Sequence, residues 1–167
     1  AAGILRMHAT PDVLKARMLI ERQVNHMSRL VEDLMDVSQM ENGQLRLRHE
    51  RVDVCVAVAQ SVQAAELSMA QRNHRMTTSF PSAPLWIQAD PVRLEQVFVN
   101  LLINAAKYTA TGGSVDISVE QRGSEAIIGV RDTGIGIAPE VLPHIFELFV
   151  QANRSSSRAV AGLGIGI

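Results

Sequence analysis

The stretch EQVFVNLLINAAKY, residues 95–108, is the one to read first, because its polar and apolar residues sort into faces only on a helix. Asn100 and Asn104 stand four apart, so both carboxamides lie on one face. Lys107 follows Asn104 by three and falls near that same face. Val97, Leu101 and Leu102 are expected on the opposite side, toward a core. Two carboxamides and a lysine pointing one way can offer neutral oxygen ligands to a magnesium ion and a point charge to phosphates. The plainer alternative is that the asparagines decorate an exposed helix face. Just upstream, Asp90-Pro91 pairs a carboxylate cap with proline at the first helical position and opens a helix running to about Lys107.

Downstream, Thr109–Gly113 reads as a loop, and Ser114–Gln121 and Ala126–Arg131 alternate as a hairpin closed around Gly123. The second strand runs into Asp132-Thr133-Gly134-Ile135-Gly136-Ile137. An aspartate at a strand end can accept a hydrogen bond from a ligand amine such as that of adenine, and the glycines let backbone approach a flat base. A tight Asx turn explains the same residues without a ligand. Pro139 to about Phe149 reads as a short helix or turn. Beyond it, Gly162-Leu163-Gly164-Ile165-Gly166 can present successive backbone N–H groups to phosphate oxygens, although linkers and tight turns also use alternate glycines. It lacks the Gly-Lys-Ser/Thr ending of a P-loop, and no βαβ pattern surrounds it, so those two nucleotide folds are set aside.

Upstream, Asp53 can cap a helix over about 54–72 that turns Val54, Val58, Val62, Ala65 and Met69 toward a core. Met76–Phe80 and Leu85–Gln88 read as strands around the Pro81–Pro84 turn, and Gln44–Glu50 as a short strand. Before these, Thr10-Pro11-Asp12 starts a helix that Asn42-Gly43 stops. In it Ile20, Val24, Met27, Val31 and Leu34 recur at steps of four and three, the seam of a helical bundle, while Glu21 and other polar residues fill the remaining faces. Residues 1–8 read as the end of a preceding antiparallel helix, and two helices per chain would make a four-helix bundle by dimerization. The expectation is therefore a helical segment over 1–43 and an α+β domain over 44–167, with helices covering one face of a mixed sheet.

Composition narrows the function classes. The 167 residues carry a formal net charge of -1, which argues against a broad nucleic-acid surface or a membrane-hugging face. Aromatic residues are 4%, too few for base-stacking platforms. The one cysteine, Cys55, cannot form an internal disulfide and reads as a small buried apolar residue. The first residues have neither a signal peptide's apolar run nor a membrane span.

In this order the segments resemble the sensor histidine kinases of two-component systems. EQVFVNLLINAAKYT is similar to that family's asparagine box, RDTGIGIAPE to its first glycine box, IFELFVQ to its phenylalanine box and AGLGIGI to its second glycine box. VNHMSRLVEDLMDVSQMENGQLRL resembles the second helix of the dimerization bundle and its exit into the catalytic domain. The resemblance implies a two-layer α/β sandwich of the Bergerat type, binding ATP under a flexible lid. It implies Asn104 as the principal magnesium ligand with Asn100 as helper, Lys107 at the phosphates and Tyr108 lining the pocket. Asp132 would bind the adenine amine, with Gly134, Gly136 and Ile137 at the pocket floor. Phe146 and Phe149 would anchor the lid, Arg154 and Arg158 are lid arginines within reach of the γ-phosphate, and Gly162, Leu163, Gly164 and Gly166 would close around the phosphates.

The resemblance further implies homodimerization through the bundle, a response regulator receiver domain as partner and a cytoplasmic location, compatible with a membrane-anchored parent. The family's acceptor motif, His-Glu-Leu-Arg-Asn/Thr-Pro, does not occur. His8 sits too near the turn between helices, His26 reads as a bundle-face or solvated residue, and His49, His74 and His144 as surface residues. The chain is expected to begin after its acceptor and to end before a helix and strand that complete the core. Two rival classes are a degenerate nucleotide-binding regulatory module and a hydrolytic ATPase of the gyrase-like group. In those hydrolases a glutamate four residues before the magnesium asparagine activates water. Here that position is Asn100, and an amide is no general base.

Overall fold

Pro11–Glu41 forms one 31-residue helix, α1, starting with proline at its first position as the sequence reading expects. The computed structural model describes residues 11–41 and 46–147. The Thr10 cap, the Asn42-Gly43 stop and the helix expected within residues 1–8 lie outside them. A division between Leu45 and Arg46 separates two compact units. In the first, the seam residues Ile20, Val24, Met27, Val31 and Leu34 are each more than half exposed, so α1 presents an uncovered apolar stripe. Arg17 Nε pairs with Glu21 at 3.3 Å one turn on, a half-buried i,i+4 contact worth a few tenths of a kcal/mol, roughly 0.3–0.5.

The second unit runs β1 (Glu50–Asp53), α2 (Val54–Ala70), β2 (Arg75–Ser79), β3 (Trp86–Ala89), α3 (Pro91–Tyr108), β4 (Ser114–Arg122) and β5 (Glu125–Asp132), followed by a 3-10 turn at Leu142–His144. β1 and β3 make a two-stranded antiparallel sheet, and β2-β4-β5 a mixed sheet with β4 in the centre, parallel to β2 and antiparallel to β5. β4 alternates strictly: Val115, Ile117 and Val119 are buried while Asp116, Ser118 and Glu120 face outward. Onto that apolar face pack Val54, Val58, Ala65 and Met69 of α2 and Phe98, Leu102, Ala105 and Ala106 of α3, in one cluster. The two-layer α+β sandwich is thus built from helices on one side of the sheet. Cys55 is free and partly buried against this core, and burial pushes its thiol pKa up.

Two expectations are corrected. The strand placed at Gln44–Glu50 lies instead at Glu50–Asp53, and residues 46–49 have no regular structure. A strand forms where it finds a partner, and β3 offers four residues, registering Val52 against Ile87, both packed on the core. Leu47, half of the alternation that suggested the earlier position, is 48% exposed. Val97 does not line the core and is 52% exposed. It precedes Asn104 by seven residues, nearly two full turns, and so shares the asparagine's side of α3. The core stripe passes through Phe98 and Leu102 instead.

Both helices of this unit start on aspartate caps. Asp53 Oδ1 accepts from Cys55 N at 3.0 Å, and Asp90 Oδ1 accepts from Val92 N at 3.0 Å and Arg93 N at 3.2 Å. Asp90 Oδ2 also accepts from Arg48 N at 3.0 Å, tying the approach to β1 to the start of α3. The backbone N–H of Arg48, then that of Arg93, hold the Asp90 carboxyl below its ordinary pKa. A carboxyl with a lowered folded-state pKa adds stability that is complete above the unfolded value, about 3.9 for aspartate, and is lost as pH falls through the folded one. Melting temperatures measured from pH 7 down to pH 3 should therefore show Asp90→Asn less stable than wild type at neutral pH, with the gap closing in acid. A gap independent of pH would exclude the ionised cap.

Candidate nucleotide-binding site

α3 and the loop after β5 meet at one place. Asp132 is the last residue of β5, exposed, and Gly134 N donates to its Oδ1 at 2.7 Å. Thr109 Oγ1 donates to the same oxygen at 3.4 Å, and Thr109 itself is 1% exposed. Oδ2 accepts no bond among the described residues, and Asp132 itself is exposed. Ile135 N donates to Tyr108 O at 3.3 Å, and Thr133 exchanges bonds with Ser114, its N donating to Ser114 O at 3.1 Å while its Oγ1 accepts from Ser114 N at 3.0 Å. These bonds fasten the Asp132–Ile135 loop to the end of α3 at Tyr108 and to the start of β4 at Ser114.

The loop is tight enough to demand glycine at one position. A Cβ on Gly134 would stand 2.5 Å from Asp132 Oδ1 and 2.7 Å from Tyr108 O. Gly136 has φ +69°, a left-handed conformation that glycine adopts freely, and open space where its Cβ would be. Ile135 and Ile137 are exposed beside it, at 68% and 44%. Lys107 Nζ lies 4.9 Å from the centroid of the Tyr108 ring, a cation–π contact at the mouth of this region worth about 0.5–1 kcal/mol. Asn100, Asn104 and Lys107 are half-buried on α3, away from Phe98 and Leu102.

Asn104, Lys107, Tyr108, Asp132 and Gly134 are thus carried by one helix end and one loop that touch. Phe146 is 78% exposed, just after the 3-10 turn, and is not part of the core cluster. Phe149, Arg154, Arg158, Gly162, Leu163, Gly164 and Gly166 lie outside the described residues, as do His8 and the side chain of His26. Among the described residues there is no group of three His, Cys, Asp or Glu able to hold a metal. Asn100 and Asn104 carry neutral carboxamide oxygens, the hard-donor class that a magnesium ion accepts. No helix among the described residues is long and apolar enough to cross a membrane.

Residues 89–167, covering α3, β4, β5 and the glycine-bearing loop, match the family described as histidine kinase-, DNA gyrase B- and HSP90-like ATPases. The histidine kinase AdeS of Acinetobacter baumannii superposes with a TM-score of 0.69 and 31% identity, over 98% of this chain and 74% of that one. The chain belongs to the histidine kinase family. The sensor histidine kinase RppB of Synechocystis sp. is 32% identical over 168 residues, covering 99% of this chain and 37% of RppB. TrcS of Mycobacterium tuberculosis, also a sensor histidine kinase, is 35% identical over 162 residues, 94% of this chain and 31% of TrcS. The chain spans about a third of the length of these curated relatives. ShkA, solved full-length in complex with AMPPNP, matches at 25% identity and a TM-score of 0.76, over 97% of this chain and 33% of ShkA.

In this histidine kinase chain three site-supporting residues escape a reading of the sequence alone. Thr109 looks like an ordinary loop residue, and nothing local signals that it is buried under Asp132. Arg72 and His74, 35 and 32 residues from the carbonyls they meet, bond the end of α3. His74 is therefore not the surface residue that its sequence setting suggests; its ring is half-buried, with Nδ1 fully so. His144, in contrast, is exposed and pairs with Glu147 at 2.7 Å.

Proposed function

We propose that this chain is the ATP-binding core of a protein histidine kinase, and that the parent transfers the γ-phosphoryl of ATP to a histidine outside residues 1–167. The observation that carries the reading is the Asp132 carboxylate, one oxygen held by Gly134 N and the other without a donor among the described residues, beside a loop packed too closely for a side chain at position 134. A carboxylate oxygen with no protein donor accepts from the exocyclic amine of adenine, and glycine at 134 lets the loop close on Tyr108 and fix where that carboxylate stands. Lys107 would bring positive charge to the phosphates, Tyr108 would line the pocket, and Asn104 with Asn100 would orient a magnesium ion. That ion would compensate charge on the transferring group. The acceptor imidazole nitrogen would bond to the γ-phosphorus as the bond to the ADP oxygen breaks, and an aspartate on a response regulator would then receive the phosphoryl group.

Asn100 supports transfer over hydrolysis, because an amide in the position of a water-activating base cannot take a proton. The names of RppB, TrcS and AdeS, and the AMPPNP bound by ShkA, support the same reading. The uncovered stripe on α1 supports homodimerization through a helical bundle, and the same reading puts that bundle on the cytoplasmic side of a parent that can carry a membrane anchor. Titration calorimetry of MgATP against wild type and Asp132→Asn tests the site. Micromolar binding by the wild type should weaken tenfold or more in the variant, a loss of at least about 1.4 kcal/mol. Equal binding by both would remove adenine from Asp132. Phosphohistidine on the full-length parent incubated with MgATP separates a kinase from a degenerate nucleotide-binding module, and steady ATP turnover without an acceptor would favour a hydrolase.

A further inference from the structure

Resting on the nucleotide-site reading above, we propose that Arg72 and His74 are positioning residues: they clamp the last turn of α3 and so set Asn104 and Lys107 for the magnesium and phosphate end of the ligand. The final carbonyls of a helix have no partner inside it. Here each one is taken by a donor. Thr109 N donates to Ala105 O at 3.1 Å, and His74 Nε2 lies 3.0 Å from Ala106 O. Arg72 Nη1 donates to Lys107 O at 2.9 Å and to Thr109 O at 3.5 Å, while Tyr108 O accepts from Ile135 N at 3.3 Å. A carbonyl only accepts, so His74 Nε2 carries the hydrogen. The other ring nitrogen, Nδ1, is buried without a hydrogen-bond partner among the described residues. Leaving a ring nitrogen dry and unpaired is unfavourable, so the imidazole is placed for its one bond to α3 and not for its own solvation.

The turn that presents these two side chains is itself fixed. Asn73 between them has φ 53°, a left-handed conformation that asparagine tolerates better than most residues. His74 N donates to Met69 O at 3.0 Å, closing the end of α2. On the far side Gly112 N donates to Arg72 O and Arg75 N to Gly113 O, both at 2.9 Å. Arg72 thus grips α3 with its guanidinium and the loop after α3 with its own carbonyl. Its charge also sits at the negative end of the helix dipole. The grip falls directly on the backbone of Lys107, whereas Asp132 is held first by the β5 ladder opposite Val115 and meets the helix end only through Thr109 Oγ1. The phosphate end thus rests on the clamp directly and the adenine end only through Thr109 and Ile135, so a loss of the clamp should be felt more at the phosphate end.

The test compares wild type with Arg72→Ala, His74→Leu and His74→Gln, whose amide nitrogen can replace Nε2 as donor. MgATP affinity is measured by calorimetry and adenosine affinity by NMR titration, at a temperature where circular dichroism shows each protein folded. Arg72→Ala and His74→Leu should bind MgATP at least fivefold more weakly and adenosine within twofold of wild type, and His74→Gln should match wild type for both. A role in stability alone would lower the melting temperature and leave the ratio of the two affinities unchanged, and that result overturns the clamp. If Arg72→Ala does not fold, the two His74 variants decide, and identical MgATP binding by both overturns it. A wild type that binds no MgATP is a failure of the nucleotide reading itself, visible before any variant is compared, and removes the clamp with it.

Discussion

Gly134→Ala is expected to abolish measurable MgATP binding and to lower stability by about 1–3 kcal/mol, the range for forcing extra volume into packed surroundings. Two of the atoms that its methyl would meet, Tyr108 O at 2.7 Å and Tyr108 C at 3.0 Å, are backbone of α3 and cannot swing aside. The third, Asp132 Oδ1 at 2.5 Å, can move only by giving up its bonds from Gly134 N and Thr109 Oγ1. Relief therefore takes one of two routes. Either the loop withdraws from α3 and Ile135 N loses Tyr108 O, or the carboxylate turns away from the direction in which it is open. Both routes displace the adenine acceptor.

Gly136→Ala is the control. Its φ of +69° makes alanine cost roughly 1–2 kcal/mol, yet nothing stands within 4 Å of the added carbon. Calorimetry and thermal unfolding on the two variants should give similar losses of stability but a far larger loss of affinity at Gly134. Binding by Gly134→Ala within twofold of wild type would show that the close approach at Asp132 has no bearing on the ligand.

The features legible in the sequence are those whose cause is local. Asp53 and Asp90 cap α2 and α3 where their position before an apolar run predicts, and Gly123 supplies the positive φ, 59°, of the β4–β5 turn. The period-two pattern of β4 identifies its core face because only one face of that strand is apolar, and on α2 the spacing of Val54, Val58, Ala65 and Met69 finds the core face although Val56 and Leu67 lie exposed elsewhere on the helix. On α3 that logic slips at Val97, where an apolar residue sits on the polar side and hydrophobicity alone assigns it wrongly. Strand β1 was misplaced for a different reason: its position is set by the length of β3, and no window around residue 47 contains that information.

The need for glycine at 134 was legible, but its cause was not. The expected neighbour was a flat base, whereas the atoms already in place are the protein's own, Asp132 Oδ1 and Tyr108 O. Arg72 and His74 were illegible outright. Their partners are carbonyls, which every residue has, so no side-chain pattern announces the pairing.

Leu102→Ala is expected to be the most destabilising single change on α3, costing about 2–5 kcal/mol, while leaving the ligand affinity of the folded chain unaltered. Leu102 is 1% exposed in the core cluster that also holds the buried residues of α2 and β4, so its loss leaves a cavity where both layers pack. Domains of this size are stable by only about 5–15 kcal/mol, and a loss of that order can bring the folded and unfolded populations into balance. Apparent affinity then falls by the folded fraction alone. A ligand that binds only the folded form restores stability by RT ln(1 + [L]/Kd), roughly 2.7 kcal/mol at a hundredfold excess over Kd. Leu102→Ala should thus be destabilised in buffer yet recover with MgATP as much stabilisation as wild type gains. Gly134→Ala should gain none. If MgATP fails to stabilise Leu102→Ala, the core face and the ligand face of α3 are coupled, and the separation argued from their exposure does not hold.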